Sequence, residues 1–422
     1  MSEQTLEGAV SKNIRFVSQS TMAGRADGGQ VMVERGFAYV GQLFSHGFTV
    51  LDVRDPKSPK PVTFVPAMEH CWSPHLQTYG DLLLVANSYD FFANPKFADE
   101  KQYYTQSVGQ SMQEGTGGGF TSGGMRTYDI STPGHPRQIG EMRVDGLGIH
   151  RIWYVGGKYA YISALLNGYS DCIFMVVDVS DPAHPHEVGR WWLPGMWTAG
   201  GEKPAWPAGD RVALHHPIIA KDVAYGAWRD GGLTLLDVSN PAKPALIAHR
   251  NWHPPFGGGT HTSLPLTDRV PVAKPYVVVA DEAVADECAD QVKYTWMVDV
   301  REKSNPVTVS TLPTPAEKDY CKEGGHFGPH NMHENRPGAF QSSDLIFATY
   351  QNAGVRVFDI SNPHQPKEAG HFIPPAKFEH WMDNRPNRPR VIHLVDVYVD
   401  KQGLMYTTDF NAGVHILEWQ GN

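Results

Sequence analysis

Membrane-spanning, nucleic-acid-binding and secreted proteins each carry a sequence signature that this chain lacks. No run of eighteen apolar residues occurs in its 422 residues, so we expect no membrane-spanning helix. Acidic residues outnumber basic ones, 45 to 36, and no basic stripe is present, which argues against a nucleic-acid surface. The first residues lack the basic start and the apolar stretch of a signal peptide. We therefore expect a cytoplasmic protein without membrane or nucleic-acid partners.

Cysteine is also scarce. The chain has four, Cys71, Cys172, Cys288 and Cys321, and none of them lies in a CxxC motif. In a chain without an export signal, such residues are most simply free thiols. The sequence therefore predicts four thiols and no disulfide.

Glycine and proline, by contrast, are abundant, with 42 and 32 residues. With 41% hydrophobic and 19% charged residues, this composition is typical of a large globular unit with many turns. No long segment has helical periodicity, whereas many short segments rich in β-branched and aromatic residues are bounded by turn residues. The pattern predicts an all-β protein.

One turn motif recurs along the chain. It consists of an apolar residue, an aspartate and a second apolar residue, followed in most copies by a turn that contains proline. The aspartates are Asp52, Asp129, Asp178, Asp237, Asp299 and Asp359. Their spacings of 77, 49, 59, 62 and 60 residues suit four-stranded propeller blades. We expect these carboxylates to bond to backbone N–H groups in the turns, and not to act in catalysis.

Seven such units account for residues 1–422 as a single domain. The last unit ends with an apolar strand at 414–419 and is one strand short. The segment 13–18 resembles an outer strand, and pairing it with the last unit would close the ring and remove a free sheet edge. The sequence thus predicts a single seven-bladed β-propeller whose N-terminal strand completes the last blade.

In the turns at 181–185 and 240–244, for example, a second proline follows the first by three residues. This pattern resembles the LVIVD-repeat family, whose repeat ends in an apolar-Asp-apolar-Ser-Asn/Asp-Pro turn. The resemblance covers six of the seven units, and the fifth departs from it at 301–306. It implies a β-propeller but no particular activity, because propellers host many functions.

A histidine opens the first strand of six of the seven units, and Gln30 takes this place in the first unit. These histidines are His75, His150, His215, His261, His330 and His393. The first strand of each blade lines the central axis, so six imidazoles would converge there. Their flanking residues differ, which favours a metal site over a polar plug inherited through repetition. His216 follows His215, and strand alternation predicts that only one of them, His215, faces the axis.

A shell of imidazoles without an obvious carboxylate suits a transition metal, with Fe(II) favoured, then Zn, Mn or Cu. One histidine per blade resembles the carotenoid-cleaving oxygenases, propellers in which four axial histidines hold Fe(II). It is also similar to the selenium-binding-protein and nitrous-oxide-reductase types, where axial histidines hold copper. The extended motifs of these families are absent. Carboxylates that could orient the rings are Glu69, Asp281, Glu334 and Asp396.

The largest elaboration is an insertion at 88–124 in the second unit. It contains several aromatic residues, a predicted short helix near 98–113 and a glycine-rich tract at 115–120. Glycine hinges make it a candidate lid, with an oligomer contact or a linker as the alternative. We expect the substrate pocket to be lined by rings from loops on the same face: Trp72, Trp197, Trp252, Phe327 and Trp381.

Three side chains near these histidines in sequence, His326, His333 and Glu334, are candidate acids or bases. No Gly-x-Ser-x-Gly elbow is present. We expect a metal-dependent oxidoreductase that acts on a small organic substrate. Two alternatives remain open: a hydrolase or lyase that uses Zn or Mn as a Lewis acid, and a non-catalytic propeller that binds a partner on its rim. A homo-oligomer also remains open.

Overall fold

Seven antiparallel four-stranded blades follow one another in the computed structural model, which describes residues 6–97, 100–116, 123–268 and 270–421. Each blade is given from its inner strand outward. Blade 1 has strands Val31–Glu34, Phe37–Gln42, Gly47–Asp52 and Lys60–Pro66. Blade 2 has Leu76–Tyr79, Leu82–Tyr89, Gly124–Asp129 and Arg137–Arg143, with a short strand Cys71–Trp72 beside the second. Blade 3 has Gly146–Trp153, Tyr159–Leu166, Ile173–Asp178 and His186–Trp191.

The remaining blades repeat this order with one irregularity. Blade 4 has strands Val212–Ala220, Val223–Arg229, Leu233–Asp237 and Ala245–Arg250. Blade 5 has Thr260–Pro265, Tyr276–Asp281, Thr295–Asp299 and Val307–Thr311. Blade 6 has Leu345–Thr349, Val355–Asp359 and Lys367–Ile373, and its inner position is a bridge between Met332 and Ala348. Blade 7 has Leu394–Val399, Leu404–Asp409, Gly413–Trp419 and, from the N-terminus, Ile14–Ser20.

The N-terminal strand closes the ring as the sequence predicted. Ile14–Ser20 pairs antiparallel with Gly413–Trp419, from Ile14 opposite Trp419 to Ser20 opposite Val414. A further strand, Val10–Lys12, pairs with the outer strand of blade 6. The predicted all-β propeller with seven blades is therefore confirmed.

We expect deletion of residues 1–20 to lower the melting temperature by several degrees, because it exposes an edge of blade 7 and removes the buried side chains of Ile14 and Val17. Deletion of residues 1–8, which leaves both N-terminal strands intact, is the control and should melt near the full-length protein. Equal melting temperatures for the two truncations would contradict this role of the strand.

Strand position in a blade decides how apolar the strand is. The middle strand Ile173–Asp178 is buried at every residue because neighbouring blades cover both of its faces. The outer strand Lys60–Pro66 has no fully buried residue. This gradient places the core between the blades and leaves their inner ends free for polar side chains around the axis.

The motif aspartates hold the turns together, as predicted. Asp178, for example, accepts a hydrogen bond from the backbone N–H of Ser180 at 2.9 Å. The same bond to the backbone N–H two residues on is present in all six copies: Asp52, Asp129, Asp178, Asp237, Asp299 and Asp359. These carboxylates are structural.

The prediction of four thiols is wrong. Cys288 and Cys321 form a disulfide, with their Cα atoms 5.4 Å apart, whereas Cys71 and Cys172 are buried thiols. The pair could not be predicted from the sequence because the two cysteines are 33 residues apart, in loops that only the folding of blades 5 and 6 brings together.

Thiol titration tests the disulfide. We expect two titratable thiols in the unreduced, denatured protein and four after reduction. Because the bond closes a long loop, Cys288→Ser should lower the free energy of unfolding by about 3–4 kcal/mol. Four thiols before reduction would contradict the pairing.

Among the residues that the structure describes, helix occurs only in a few short segments. Two α-helices, α1 (Glu100–Tyr104) and α2 (Val108–Thr116), lie in the insertion, near the predicted helix at 98–113. Within the described residues, no helix is long and apolar enough to cross a membrane. The short 3₁₀ segments are Met22–Gly24, Phe91–Ala93, Pro95–Phe97, Thr198–Gly200, Asp286–Cys288 and Tyr320–Lys322.

Candidate metal centre

Four of the six predicted histidines form one cluster at the inner ends of blades 3 to 6, in which His215, His261 and His330 are buried and His150 is half-buried. The ring centroids of His150 and His215 are 4.7 Å apart, those of His215 and His261 3.5 Å, and those of His261 and His330 4.2 Å. Each ring comes from a different blade. Repetition of one strand start around the axis therefore brings these imidazoles together.

Hydrogen bonds orient three of these rings. Nδ1 of His215 lies 2.9 Å from the carbonyl oxygen of His261, and Nδ1 of His330 lies 2.5 Å from that of Val395. Nδ1 of His261 lies 3.0 Å from Oγ1 of Thr262. A carbonyl oxygen only accepts, so Nδ1 of His215 and of His330 donates and Nε2 keeps its lone pair. Metal-binding histidines in proteins are held in the same way.

The nitrogen spacing is also that of metal ligands. Nε2 of His150 and Nε2 of His215 are 2.9 Å apart. Two nitrogens bound at a right angle to one ion, each at about 2.1 Å, would lie about 3 Å apart. Nε2 of His261 is buried without a hydrogen-bond partner in the described structure, so this polar atom is left for a ligand.

Glu282, which the sequence analysis missed, completes the cluster. Its carboxylate oxygens lie 3.5 Å from Nε2 of His261 and 3.4 Å from Nε2 of His330. The guanidinium of Arg229 pairs with the same carboxylate at 2.6 Å. His215, His261 and Glu282 offer ligand atoms that all lie within 4.8 Å of one another. The candidate site therefore offers both nitrogen and oxygen atoms as possible ligands, whereas the sequence suggested an all-histidine shell.

The predicted orienting residue beside it, Asp281, has another role. Its carboxylate accepts hydrogen bonds from Nε1 of Trp296 at 2.6 Å and from Oγ1 of Thr260 at 2.9 Å. Alternation along the strand sends the next side chain, that of Glu282, in the other direction. The pattern in the sequence pointed to Asp281 instead: polar residues also end the second strands of blades 1, 4 and 7, at Gln42, Arg229 and Asp409, whereas Glu282 lies one residue beyond its strand.

The protonation states of the cluster favour metal binding. Burial holds the pKa of His150, His215 and His261 well below the usual value, so these rings are neutral at neutral pH. Burial alone would raise the pKa of Glu282, but the positive charge of Arg229 outweighs it and holds that pKa well below its usual range. The cluster thus presents neutral imidazoles and one carboxylate.

A small cavity adjoins the cluster. Its volume is about 60 Å³, which is room for a few water molecules or a substrate of a few heavy atoms. The four clustered histidines and Glu282 line its polar side. Its apolar side is formed by Leu43, Trp72, Phe92, Tyr103, Tyr104 and Phe410.

Of the five predicted pocket aromatics, only Trp72 lines this cavity. Trp197 is 42% exposed, and Trp252 stacks on Trp296 at the outer part of its blade. Phe327 packs between Tyr320 and Tyr350, and Trp381 packs on Phe378. These four positions correct the sequence prediction, because their rings do not line the described cavity.

The insertion at 88–124 supplies part of the apolar wall of the cavity. Phe92 and the two tyrosines of α1, Tyr103 and Tyr104, reach the cavity, and α2 buries Val108 and Met112 in the same apolar cluster. Arg211 anchors the insertion from blade 4 by donating to the carbonyl oxygen of Tyr103. Part of the proposed glycine hinge, 117–120, lies outside the described residues.

Replacing residues 90–124 by a short linker should leave the ring folded while small-molecule binding at the cavity is lost, because the insertion interrupts a hairpin at its loop. Circular dichroism and thermal melting report on the fold, and ligand titration reports on the cavity. Failure of the shortened chain to fold would place the insertion in the core of the protein.

A second cluster consists of His75, His216 and Glu334, and it corrects the expectation that only His215 would face inward. Pairing of blade 4's inner strand is irregular between Val212 and His216, so simple alternation does not hold there. The ring centroid of His216 is 5.3 Å from that of His75, and its Nε2 is 3.6 Å from Oε1 of Glu334. Both adjacent histidines are therefore buried in polar clusters.

This second cluster is the weaker metal candidate. The backbone N–H of Ile152 donates to Nδ1 of His75 at 3.2 Å, so the proton of the neutral ring is on Nε2 and blocks that nitrogen. Glu334 is engaged by Arg336 at 3.3 Å and by Gln77 at 3.2 Å. Asp396, another predicted orienting residue, accepts a hydrogen bond from the backbone N–H of Val31 at 2.9 Å, and Glu69 is exposed.

The remaining predicted residues lie outside both clusters. The ring of His393 is 6.5 Å from that of His330 and packs on Phe410 and His326, at 4.6 and 5.2 Å. His326 is buried, with Nε2 3.5 Å from Asp286. Both nitrogens of His333 bond to backbone, to the carbonyl of residue 340 at 2.8 Å and the N–H of residue 399 at 3.1 Å. His333 therefore has a structural role, which replaces the expected catalytic one.

Comparison with known proteins agrees with the fold. The LVIVD repeat profile matches residues 24–64, 151–192, 219–250 and 346–373. The β-propeller domain of Cps50 (Swd1) from Myceliophteria thermophila superposes with a TM-score of 0.55 at 11% identity, covering 94% of this chain and 98% of that chain. A protein from Lactobacillus plantarum gives 0.53 at 10% identity, with coverages of 93% and 97%. A chain of the mitotic checkpoint complex gives 0.54 at 8% identity, with coverages of 98% and 95%.

These likenesses define the class: the molecule is a β-propeller, and it carries LVIVD repeats. At such identities they show the fold alone. No curated protein matches the sequence. Function must therefore be argued from the site.

Proposed function

We propose that this protein is a metal-dependent oxidoreductase that acts on a small molecule in the cavity beside His150, His215, His261, His330 and Glu282. The observation that carries the proposal is the convergence of buried Nε2 atoms beside one carboxylate, with two of the rings fixed through Nδ1 by backbone carbonyls. A non-catalytic propeller would have no need for neutral imidazoles held in this way beside a cavity.

The donor set narrows the choice of metal. Imidazoles with one carboxylate suit Fe(II), Zn or Mn. For copper, this mixed set is a poorer match than the all-nitrogen shell that the sequence suggested. We keep Fe(II) as the first choice. When bound, such an ion would supply redox chemistry or activation of a small molecule at an open position, while Trp72, Phe92 and Tyr103 limit the entry of water.

Elemental analysis combined with an oxygen electrode tests this proposal. We expect iron in the purified protein and oxygen uptake that depends on the metal and on a small organic substrate. Zinc or manganese without oxygen uptake would instead support the hydrolase or lyase alternative, in which the ion acts as a Lewis acid. A folded protein that binds no metal would leave only the non-catalytic alternative.

The disulfide is relevant to the cellular compartment of the protein. Disulfides are rare in reducing compartments, so the Cys288–Cys321 bond favours an oxidising compartment over the cytoplasm that the sequence suggested. A homo-oligomer remains a prediction.

A further inference from the structure

The cavity contains a buried positive charge that the metal proposal does not use. Arg151 lies on the inner strand of blade 3 and is only 6% exposed. It lines the cavity. Its Nε donates a long hydrogen bond of 3.4 Å to Nε2 of His215. Among the described residues, no carboxylate lies within ion-pair distance of its guanidinium.

The other charges of the cavity do not neutralise it. Arg229 and Glu282 form an ion pair at 2.6 Å, so these two charges of the lining offset each other. This leaves the guanidinium of Arg151 as the charged group of the described lining without a paired carboxylate. The carboxylates of Asp396, Glu282 and Glu334 act on it only from beyond ion-pair distance, and a divalent ion at the histidines would add further positive charge. A buried charge without a partner is costly, and an anion in the cavity would offset this cost.

We infer that the substrate of this site is a small carboxylate, whose carboxylate group binds the guanidinium of Arg151 beside the histidine cluster. This inference rests on the proposed function and specifies its substrate class. A guanidinium offers parallel N–H donors that match the two oxygens of a carboxylate. The cavity of about 60 Å³ limits the rest of the molecule to a few heavy atoms, and its aromatic wall suits a short apolar group.

Calorimetric titration with sodium acetate and with acetamide tests the inference on the purified protein, in a buffer without other small carboxylates. The two probes have nearly the same size and differ in charge. We expect acetate to bind at least about tenfold more tightly than acetamide. Equal affinities, or no binding of acetate, would overturn the inference. Tighter binding of inorganic phosphate than of acetate would overturn the assignment to a carboxylate.

Variants locate the effect. Arg151→Gln should weaken acetate binding at least about tenfold, whereas Arg151→Lys should keep part of it because the charge remains. Arg137→Gln removes a charge from a side chain that is 71% exposed and should leave acetate binding unchanged. Acetate affinity that is the same in Arg151→Gln and wild type would contradict the role of Arg151.

Metal content measured in the same samples separates this inference from the proposed function. Protein that holds metal but does not distinguish acetate from acetamide would refute only the carboxylate substrate. Protein without metal that still binds acetate through Arg151 would support the anion site and refute the metal-dependent activity.

Discussion

His215→Ala protein is expected to purify without bound metal and without activity, whereas His216→Ala protein keeps both. The two residues are adjacent and equally buried, so they form a matched pair. Nε2 of His215 is 2.9 Å from that of His150 within the candidate centre. His216 instead belongs to the cluster with His75 and Glu334. Loss of one ligand costs about tenfold or more in metal affinity.

Circular dichroism is the control for this pair, since each blade has its own apolar packing and both variants should stay folded. Loss of metal from both variants, in proteins that keep the wild-type spectrum, would show that the two clusters act as one centre. Retention of metal in His215→Ala would remove His215 from the ligand set.

Glu282→Gln is expected to have two large effects. It removes the oxygen donor, so metal affinity should fall at least about tenfold. It also leaves the buried guanidinium of Arg229 without its partner, which costs about 3–5 kcal/mol in the free energy of unfolding. Metal content and denaturant unfolding measure the two effects separately.

A double variant distinguishes the two roles of this carboxylate. Combining Glu282→Gln with Arg229→Met removes both buried charges, so stability should return toward that of wild type while the metal stays absent. Recovery of metal binding in the double variant would show that Glu282 serves only to neutralise Arg229.

The sequence predicted the fold well because the fold is repetitive. The aspartate turns recur at blade spacing, and each one forms the same hydrogen bond to the backbone. The closing strand was also predictable, since the last unit of the sequence was one strand short and residues 13–18 matched the pattern of an outer strand. Local chemistry that repeats can be read without knowledge of the tertiary structure.

The site was predictable only in part, for physical reasons. One histidine per blade correctly indicated convergence, and four of the six rings meet. Irregular strand pairing changes which way a side chain points, and this hid the place of His216. Glu282 was missed because it lies just beyond a strand end, next to Asp281, and only the paired structure shows which of the two faces the histidines.

X-ray absorption spectroscopy at the edge of the bound metal shows whether the histidine cluster holds the ion. We expect one transition-metal ion per chain, with nitrogen and oxygen ligands at about 2.0–2.2 Å. The spectrum should also contain scattering from the more distant ring atoms of several imidazoles. That imidazole scattering should be lost or reduced in His215→Ala and unchanged in His216→Ala. A folded protein without metal, or an ion whose spectrum contains no imidazole contribution, would contradict this expectation.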